Sequence, residues 1–479
     1  MRFFSEGSLR NYQIVLFSIV IVFKISLTVF TINQQYESDV PESFALCTGD
    51  CPSYLEPIEN LVKHHSYTPD FRMPGYGVFY LPLYYFFSKP VAMNLLIVLQ
   101  TLMDILAAFL FIKLAILYTG KKTAGIYALI FYGIGCTISV YNKSIQTESI
   151  TASLFVYSIY FIVIYHQSKN KIHLLLSSLF MTWSYFCRPV FFPLFILLSL
   201  FVLYTLYKNF RIINLAFFLL PFLLIQGAWT LRNYFHHQKV FLLTKTAYLP
   251  LYQSSELAAY SFQGTIGDFR DNYFFPDSNW KNRSTPRYDI DTVEFPSEIY
   301  TKDFNRDSLI ELRRYAKILR STSDTITALQ KIQYNDLFTI KAERYTSSIK
   351  RNHPFLTYIK APAIRVYKHL FKSSGVQYLF MKGFNSLTLI EKTLKMFFIF
   401  IFLSALYGSL FFIISIIINY KNPLNILFCL FCLYGMLIHP TILGTANPRY
   451  LYAFYPILAL CATLFYTNIS FLKISEKFK

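Results

Sequence analysis

The sequence predicts an all-α membrane protein of about ten transmembrane helices with a mostly helical insert outside the bilayer. Three observations carry this. Of the 479 residues, 54% are hydrophobic and only 15% charged. The apolar residues fall in uninterrupted runs, and 12–32, 91–118 and 394–419 each supply the ~20 residues that cross a ~30 Å hydrocarbon layer. Lys and Arg gather in alternate connections, as membrane orientation requires.

Inside lipid no water is present to satisfy backbone polar groups, so the runs are expected to be helices. By length and flanking polarity the spans are 12–32, 91–117, 123–141, 149–165, 172–186, 189–207, 212–231, 394–419, 424–439 and 450–468. The first follows Arg2 and Arg10 like a signal peptide. Its apolar run is long and no small-residue cleavage site follows, so it is read as a span. The segment 74–87 is also apolar, but Pro74, Pro82 and Pro90 bracket it and point to a re-entrant or interfacial segment. Tyr84, Tyr85, Tyr118, Tyr132, Tyr141 and Tyr207 lie near run ends, where amphipathic rings favour the membrane interface.

With the N-terminus inside, the inner connections hold Arg2 and Arg10, Lys121 and Lys122, Lys169 and Lys171, Lys208 and Arg211, Lys421, and finally Lys473, Lys477 and Lys479. Every inner connection is basic, which satisfies the positive-inside rule. The chain is therefore expected as a multi-pass protein of a cell membrane, a bacterial inner or plasma membrane, with its active site facing the outside or periplasm. The net charge of +19 does not call for nucleic acid as a partner, because anionic headgroups and lipid phosphates attract the same residues.

Three regions follow. Residues 1–232 form an N-terminal transmembrane catalytic module that includes the first outer loop, 33–90; 233–393 form an extracytoplasmic insert; 394–479 form the C-terminal transmembrane helices. In the insert, 308–319 and 328–350 read as helices between Pro, Asn, Asp and Ser clusters. Phe355, Ile359, Val366, Leu370 and Phe371 recur near helical spacing with Lys360, Arg365, Lys368 and Lys372 between them. That pattern predicts an interfacial helix near 355–372, lying in the headgroup plane.

Candidate chemistry collects on the outer side. The first outer loop carries Asp50, Tyr54, Glu56, Glu59, His64, His65, Asp70 and Arg72, pinned between membrane segments. A carboxylate at the bilayer edge sheds part of its hydration and is suited to take a proton from an attacking hydroxyl, and Asp50 is the first choice for that base. Arg188, Arg232, Arg449 and His439 sit where spans meet the same side. A guanidinium there can grip a phosphate through two parallel hydrogen bonds, although one arginine alone is better explained by snorkelling toward headgroups. Glu148 begins the fourth span, where it either orients a sugar hydroxyl, supports Asp50, or answers the helix dipole. Lys24 and Asp104 fall mid-span, and the cost of intramembrane charge predicts a structural ion pair between the first two spans.

Of seven cysteines, five lie in or beside apolar runs, where thiols pack as small hydrophobes. Cys47 and Cys51 flank Asp50 and can close a small ring in an oxidising compartment. They can also join His64 or His65 as metal ligands, though the spacing matches no zinc pattern, so no metal is assigned and a divalent ion stays open.

The N-terminal span, the loop with an early Asp50 and following Tyr54, and the R-x-P-x-Y segment of Arg72, Pro74 and Tyr76 resemble the polytopic glycosyltransferases of the GT-C fold. Among these the protein mannosyltransferases that use dolichyl-phosphate-mannose and the bacterial aminoarabinose transferase are the most similar. Glu148, the pair Arg188 and Pro189, the W-x-x-R-N-Y segment from Trp229 to Tyr234, and the pair Arg449 and Tyr450 match in order. The resemblance is strongest over 10–235 and fades in the insert. It implies a GT-C-like helix arrangement and an inverting transfer of sugar from a polyprenyl-phosphate donor to a lipid, glycan or protein acceptor. Asp50 would be the base, Arg232, Arg449 and Arg188 the donor phosphate ligands, and Tyr54, Arg72, Tyr76, Glu148, His439 and Tyr450 the substrate contacts. One departure matters: many protein mannosyltransferases carry an acidic pair in this loop, whereas Asp50 is followed by Cys51. That puts a protein acceptor in doubt. Two other readings stand beside this one, a polytopic transporter and an envelope polysaccharide polymerase or ligase fed by a lipid diphosphate.

Overall fold

The computed structural model describes residues 6–34, 40–47, 49–70, 72–207, 212–243, 253–267, 297–319, 326–372, 375–376, 378–380, 382–418 and 422–476. Arg2, Lys208, Arg211, Lys421, Lys477 and Lys479, on which the orientation partly rests, lie outside them. The described residues are helical and form no strand. In chain order the α-helices are α1 (Glu6–Asn33), α2 (Cys51–His64), α3 (Gly77–Phe86), α4 (Lys89–Thr119), α5 (Lys122–Ala128), α6 (Cys136–Ser139), α7 (Thr147–Ser168), α8 (Lys171–Cys187), α9 (Phe192–Leu206), α10 (Ile212–His237), α11 (Gln253–Ile266), α12 (Arg306–Leu319), α13 (Ala328–Asn352), α14 (Ala361–Phe371), α15 (Leu389–Ile418), α16 (Pro423–Leu437), α17 (Pro448–Tyr452) and α18 (Tyr455–Glu476).

Seven described helices are long and apolar enough to cross a membrane: Asn11–Asn33, Lys89–Thr119, Thr147–Ser168, Pro189–Leu206, Ile212–His237, Leu389–Ile418 and Pro423–Ile442. Three other expected spans are built differently. The run 123–141 is broken into α5, a π turn at Leu129–Gly133 and α6, where Gly133 and Gly135 interrupt the apolar sequence. Helix α8 has 17 residues, and α18 runs over Tyr455–Glu476, with Tyr455–Ile469 as its described apolar stretch.

The chain divides into two compact units. The first comprises 1–245, 374–434 and 452–479, and the second 246–373 with 435–451. At the centre of the first, 89% of the α7 span is buried, against 22% for α10, whose Leu223, Leu224 and Leu231 point outward. Small residues let α7 approach its neighbours, the usual device where lipid supplies no hydrophobic drive. Ser158 Oγ donates to the Ser177 carbonyl (2.8 Å) and Ser177 Oγ to the Ser158 carbonyl (2.9 Å), so α7 and α8 are joined reciprocally. That hairpin brings the start of α7 beside the end of α8, which positions the site below.

The charges of Lys24 and Asp104 pair as expected. Lys24 Nζ donates to both Asp104 oxygens (3.0 and 2.9 Å) and to Ser139 Oγ (2.8 Å), while Asn142 Nδ2 donates to Asp104 Oδ2 (3.1 Å). Both charged side chains are fully buried, and these bonds meet the cost of holding charge away from water.

The second unit has its own core. Phe262, Ile299, Phe304, Leu309, Leu312, Phe338 and Ile349 join α11, α12 and α13 around one apolar centre. Helix α13 starts on a capping box, with Gln330 N–H donating to Thr327 Oγ1 and Thr327 N–H to Gln330 Oε1. The stretch 355–372 is a π turn followed by α14, and it faces outward differently from its sequence pattern. Phe355, Tyr358, Ile359 and Tyr367 are exposed, whereas Arg365 is buried, donating to the carbonyls of Pro440 (2.6 Å), Gly264 and Gly267. Three backbone carbonyls satisfy the donors of a guanidinium that has no access to a headgroup.

Candidate functional site

The first loop is held in place by short backbone and covalent ties. Leu46 N–H donates to the Lys143 carbonyl (2.8 Å) and Ile145 N–H to the Leu46 carbonyl (3.0 Å), which stitches the loop to the segment entering α7. Immediately afterwards Cys47 and Cys51 are joined by a disulfide. Their sulfurs are therefore not metal ligands, which removes the Cys-based metal site the sequence left open. Asp50 lies inside this ring, just before α2 begins with Pro52 in its first turn.

Helix α2 and the turn 72–76 then bring two more groups to Asp50. Arg72 Nη2 lies 3.2 Å from Asp50 Oδ1, with 27% and 35% of these side chains exposed. The same guanidinium donates from Nε to Ser53 Oγ (3.2 Å) and sits 4.9 Å over the Tyr54 ring. Tyr54 and Tyr76 rings are 5.2 Å apart. Burial pushes the Tyr54 phenol pKa up; of the charges around it, Arg72 and Arg188 oppose the shift while Asp50 and Glu148 add to it. The Tyr76 phenol is held well above its usual range, first by burial and then by Tyr54, Cys187 and Glu148. Both rings therefore stay neutral, and Tyr76 donates its proton to Gln100 Oε1 (2.9 Å).

The turn fits here because of one glycine. A Cβ on Gly75 would meet the Phe186 carbonyl carbon at 2.3 Å and the Cys187 nitrogen at 2.5 Å, so only glycine lets the turn lie against the end of α8. Trp183 Nε1 closes the contact by donating to the Gly75 carbonyl (3.1 Å). One residue beyond α8, Arg188 Nη1 lies 3.2 Å from Glu148 Oε1 in the first turn of α7. Glu148 is fully buried. Asp50, Tyr54, Arg72, Tyr76, Glu148 and Arg188, drawn from four stretches of chain, thus share one charged cluster.

Arg232 stands beside it with a different set of partners. From α10 it donates to Asp70 Oδ2 (2.7 Å) and to the Tyr67 carbonyl (2.9 Å), and it lies 5.3 Å over the Trp229 ring. Tyr67 in turn donates its hydroxyl to the Arg72 carbonyl (3.1 Å), which links the two groups of residues. Burial opposes ionisation of Asp70, yet hydrogen bonds with Arg232 and His237 keep its carboxyl below the usual range. Sequence reading singles out Arg232, names Asp70 only among the polar residues of the first loop with no role of its own, and passes over the adjacent pair His236 and His237. The signal available was a His-His pair one helical turn beyond an arginine, which has meaning only once a carboxylate is known to reach it.

His439, Arg449 and Tyr450 belong to the second unit. There the His439 and Tyr450 rings stack at 4.4 Å, and His369 lies 6.0 Å from His439. Arg449 N–H donates to Asn447 Oδ1 (3.1 Å) at the start of α17. No protein-family model and no curated protein sequence matches the chain.

Proposed function

We propose that the protein is an integral-membrane glycosyltransferase that moves a sugar from a polyprenyl-phosphate carrier to an acceptor hydroxyl at the extracytoplasmic side. Asp50 takes the acceptor proton as the oxygen attacks the anomeric carbon from the face opposite the phosphate. The bond from that carbon to the phosphate oxygen breaks, and the carrier phosphate leaves with the electron pair. Arg72 fixes the base, Tyr54 and Tyr76 wall the site, and Arg188 and Arg232 supply positive charge for the departing phosphate, the kind of preorganised electrostatics that dominates such transfers.

The observation that carries this reading is the Asp50 carboxylate held by Arg72 at 3.2 Å, part-exposed, next to the buried pair of Glu148 and Arg188. An oriented, reachable carboxylate beside part-buried arginines suits proton abstraction with phosphate departure. The mid-span pair of Lys24 and Asp104, which would otherwise favour transport, is sealed and fully bonded and so reads as structural.

The test is to incubate the purified chain with a panel of polyprenyl-phosphate sugars and follow which donor is consumed. Removing a general base costs roughly 100-fold or more in rate, so Asp50→Asn should lose transfer by at least that while remaining folded. Consumption of none of the donors, or full activity in Asp50→Asn, removes the proposal.

A further inference from the structure

Asp70, His236 and His237 place one carboxylate and two imidazoles at the end of α10, with their ligand atoms all within 4.8 Å of one another. From this geometry we infer a binding site for a divalent transition-metal ion, with Zn2+ as its best-fitting occupant. The inference is independent of the sugar-transfer reading and concerns residues that reading does not use as base or substrate contacts.

Ligand chemistry points to the ion. Two nitrogens and one oxygen form the three-ligand set that zinc takes with a fourth, open position, whereas Mg2+ and Ca2+ prefer all-oxygen sites. Zinc bonds of ~2.0–2.2 Å place tetrahedral ligand atoms about 3.3 Å apart. His237 Nε2 is now 2.5 Å from Asp70 Oδ2, a hydrogen bond whose proton a metal replaces on binding. Side-chain rotation at a helix end is enough to open that contact and close His236 onto the ion.

The surroundings hold the ligands in aim. Both contacts made by Asp70 fall on Oδ2, and Arg232 stays there at 2.7 Å while Oδ1 turns to the metal. A donor fixed behind a ligating carboxylate is the outer-shell arrangement that metal sites use. Arg232 is itself held by the Tyr67 carbonyl and by Asn233 Oδ1 (3.1 Å), and the His237 ring packs edge-on against Phe241 at 5.8 Å. Both histidines lie in the last turn of α10, where the dipole favours a cation. Binding there clamps the segment carrying Asp70, Arg72 and Tyr76 to the end of α10.

The experiment uses the full chain in detergent, purified without a polyhistidine tag, stripped with chelator and titrated with Zn2+ alone. Bound metal is counted by elemental analysis, and Co2+ is added in parallel to read coordination from its visible spectrum. Wild type should bind one Zn2+ per chain and give the intense absorption of four-coordinate cobalt. Losing an outer-shell partner already costs about 10–100-fold in affinity, so H236A and H237A, which lose a direct ligand, should fall by more than tenfold. His236 is exposed, so H236A is not expected to disturb folding, and monodispersity on size exclusion confirms it. Retention of the bound equivalent by either single variant, absence of binding in wild type, or displacement of cobalt by excess Mg2+ overturns the inference.

Discussion

Arg188 and Glu148 meet at 3.2 Å, with the Glu148 side chain wholly buried and 11% of the Arg188 side chain exposed. One comes from the residue that ends α8 and the other from the first turn of α7, so the pair forms only because the two helices are joined along their length. Its charges are also felt by the Tyr54 phenol, which ties this interior pair to the part-exposed one made by Asp50 and Arg72.

Glu148→Gln should strip the main counter-charge from a guanidinium that has little access to water. Breaking a buried pair on one side costs ~3–5 kcal/mol, whereas replacing both partners by apolar groups is far milder. Unfolding of the purified protein by denaturant should therefore show a large loss for Glu148→Gln and a partial recovery in Glu148→Leu/Arg188→Leu. A single-variant loss below about 1 kcal/mol, the range of exposed pairs, would show that the charges are solvated.

Gly75→Ala tests how closely the turn must approach α8. Its new Cβ would stand 2.3 Å from the backbone at Phe186, and backbone cannot swing aside as a long side chain can. A clash in packed surroundings costs ~1–3 kcal/mol or more. The thermal midpoint should drop, and sugar transfer should drop further because Arg72 and Tyr76 move with the turn. An unchanged midpoint and rate would mean that the turn sits further from α8.

Breaking the disulfide separates positioning from stability. The closed ring between Cys47 and Cys51 is short, so chain entropy alone assigns it about 2 kcal/mol. In Cys47→Ser/Cys51→Ser, transfer should fall severalfold as Asp50 loses its fixed place, while the fold persists. Comparing initial rates with the unfolding midpoint of the same preparation decides it; equal rates in both proteins would leave the ring without a part in the site.

His369 makes the second unit sensitive to acid. Burial, only partly opposed by the nearby backbone of Asn447 and Gly435, pulls its pKa from 6.5 to about 4. Between those values the unfolded chain binds a proton that the fold refuses. The stability gained by keeping the ring neutral is thus full above pH 6.5 and lost as pH falls toward 4, by about 3 kcal/mol. His369→Gln keeps a hydrogen-bonding side chain without this titration, so its melting temperature should fall less over that window than wild type's. Parallel pH profiles would rule out His369 as the source.

Much of the architecture was legible in the sequence. Long apolar runs have one stable form in lipid, which is why α1, α4, α10 and α15 appear where the runs are. The cost of charge at mid-span likewise announced the pair of Lys24 and Asp104, since neither could stand there alone. Local breaks were harder to read. The run 123–141 looks apolar enough to cross, yet Gly133 and Gly135 split it, because hydropathy does not register backbone freedom.

By itself, then, the sequence determined that the chain is built of helices long and apolar enough to cross a membrane and that Asp50, Tyr54, Arg72, Tyr76, Glu148 and Arg188 are residues of interest, because hydrophobic length and residue type act locally. Tertiary structure alone decided the partners. Arg232 and Asp70 are 162 positions apart, and Asp70 and His237 are 167 apart. Any of the loop's seven acidic residues satisfies the chemistry of an arginine or a histidine equally well. Which one does so is set by the packing of α8, α10 and the turn at Gly75, and the strength of a charge pair depends on a few ångströms that spacing along a chain does not encode.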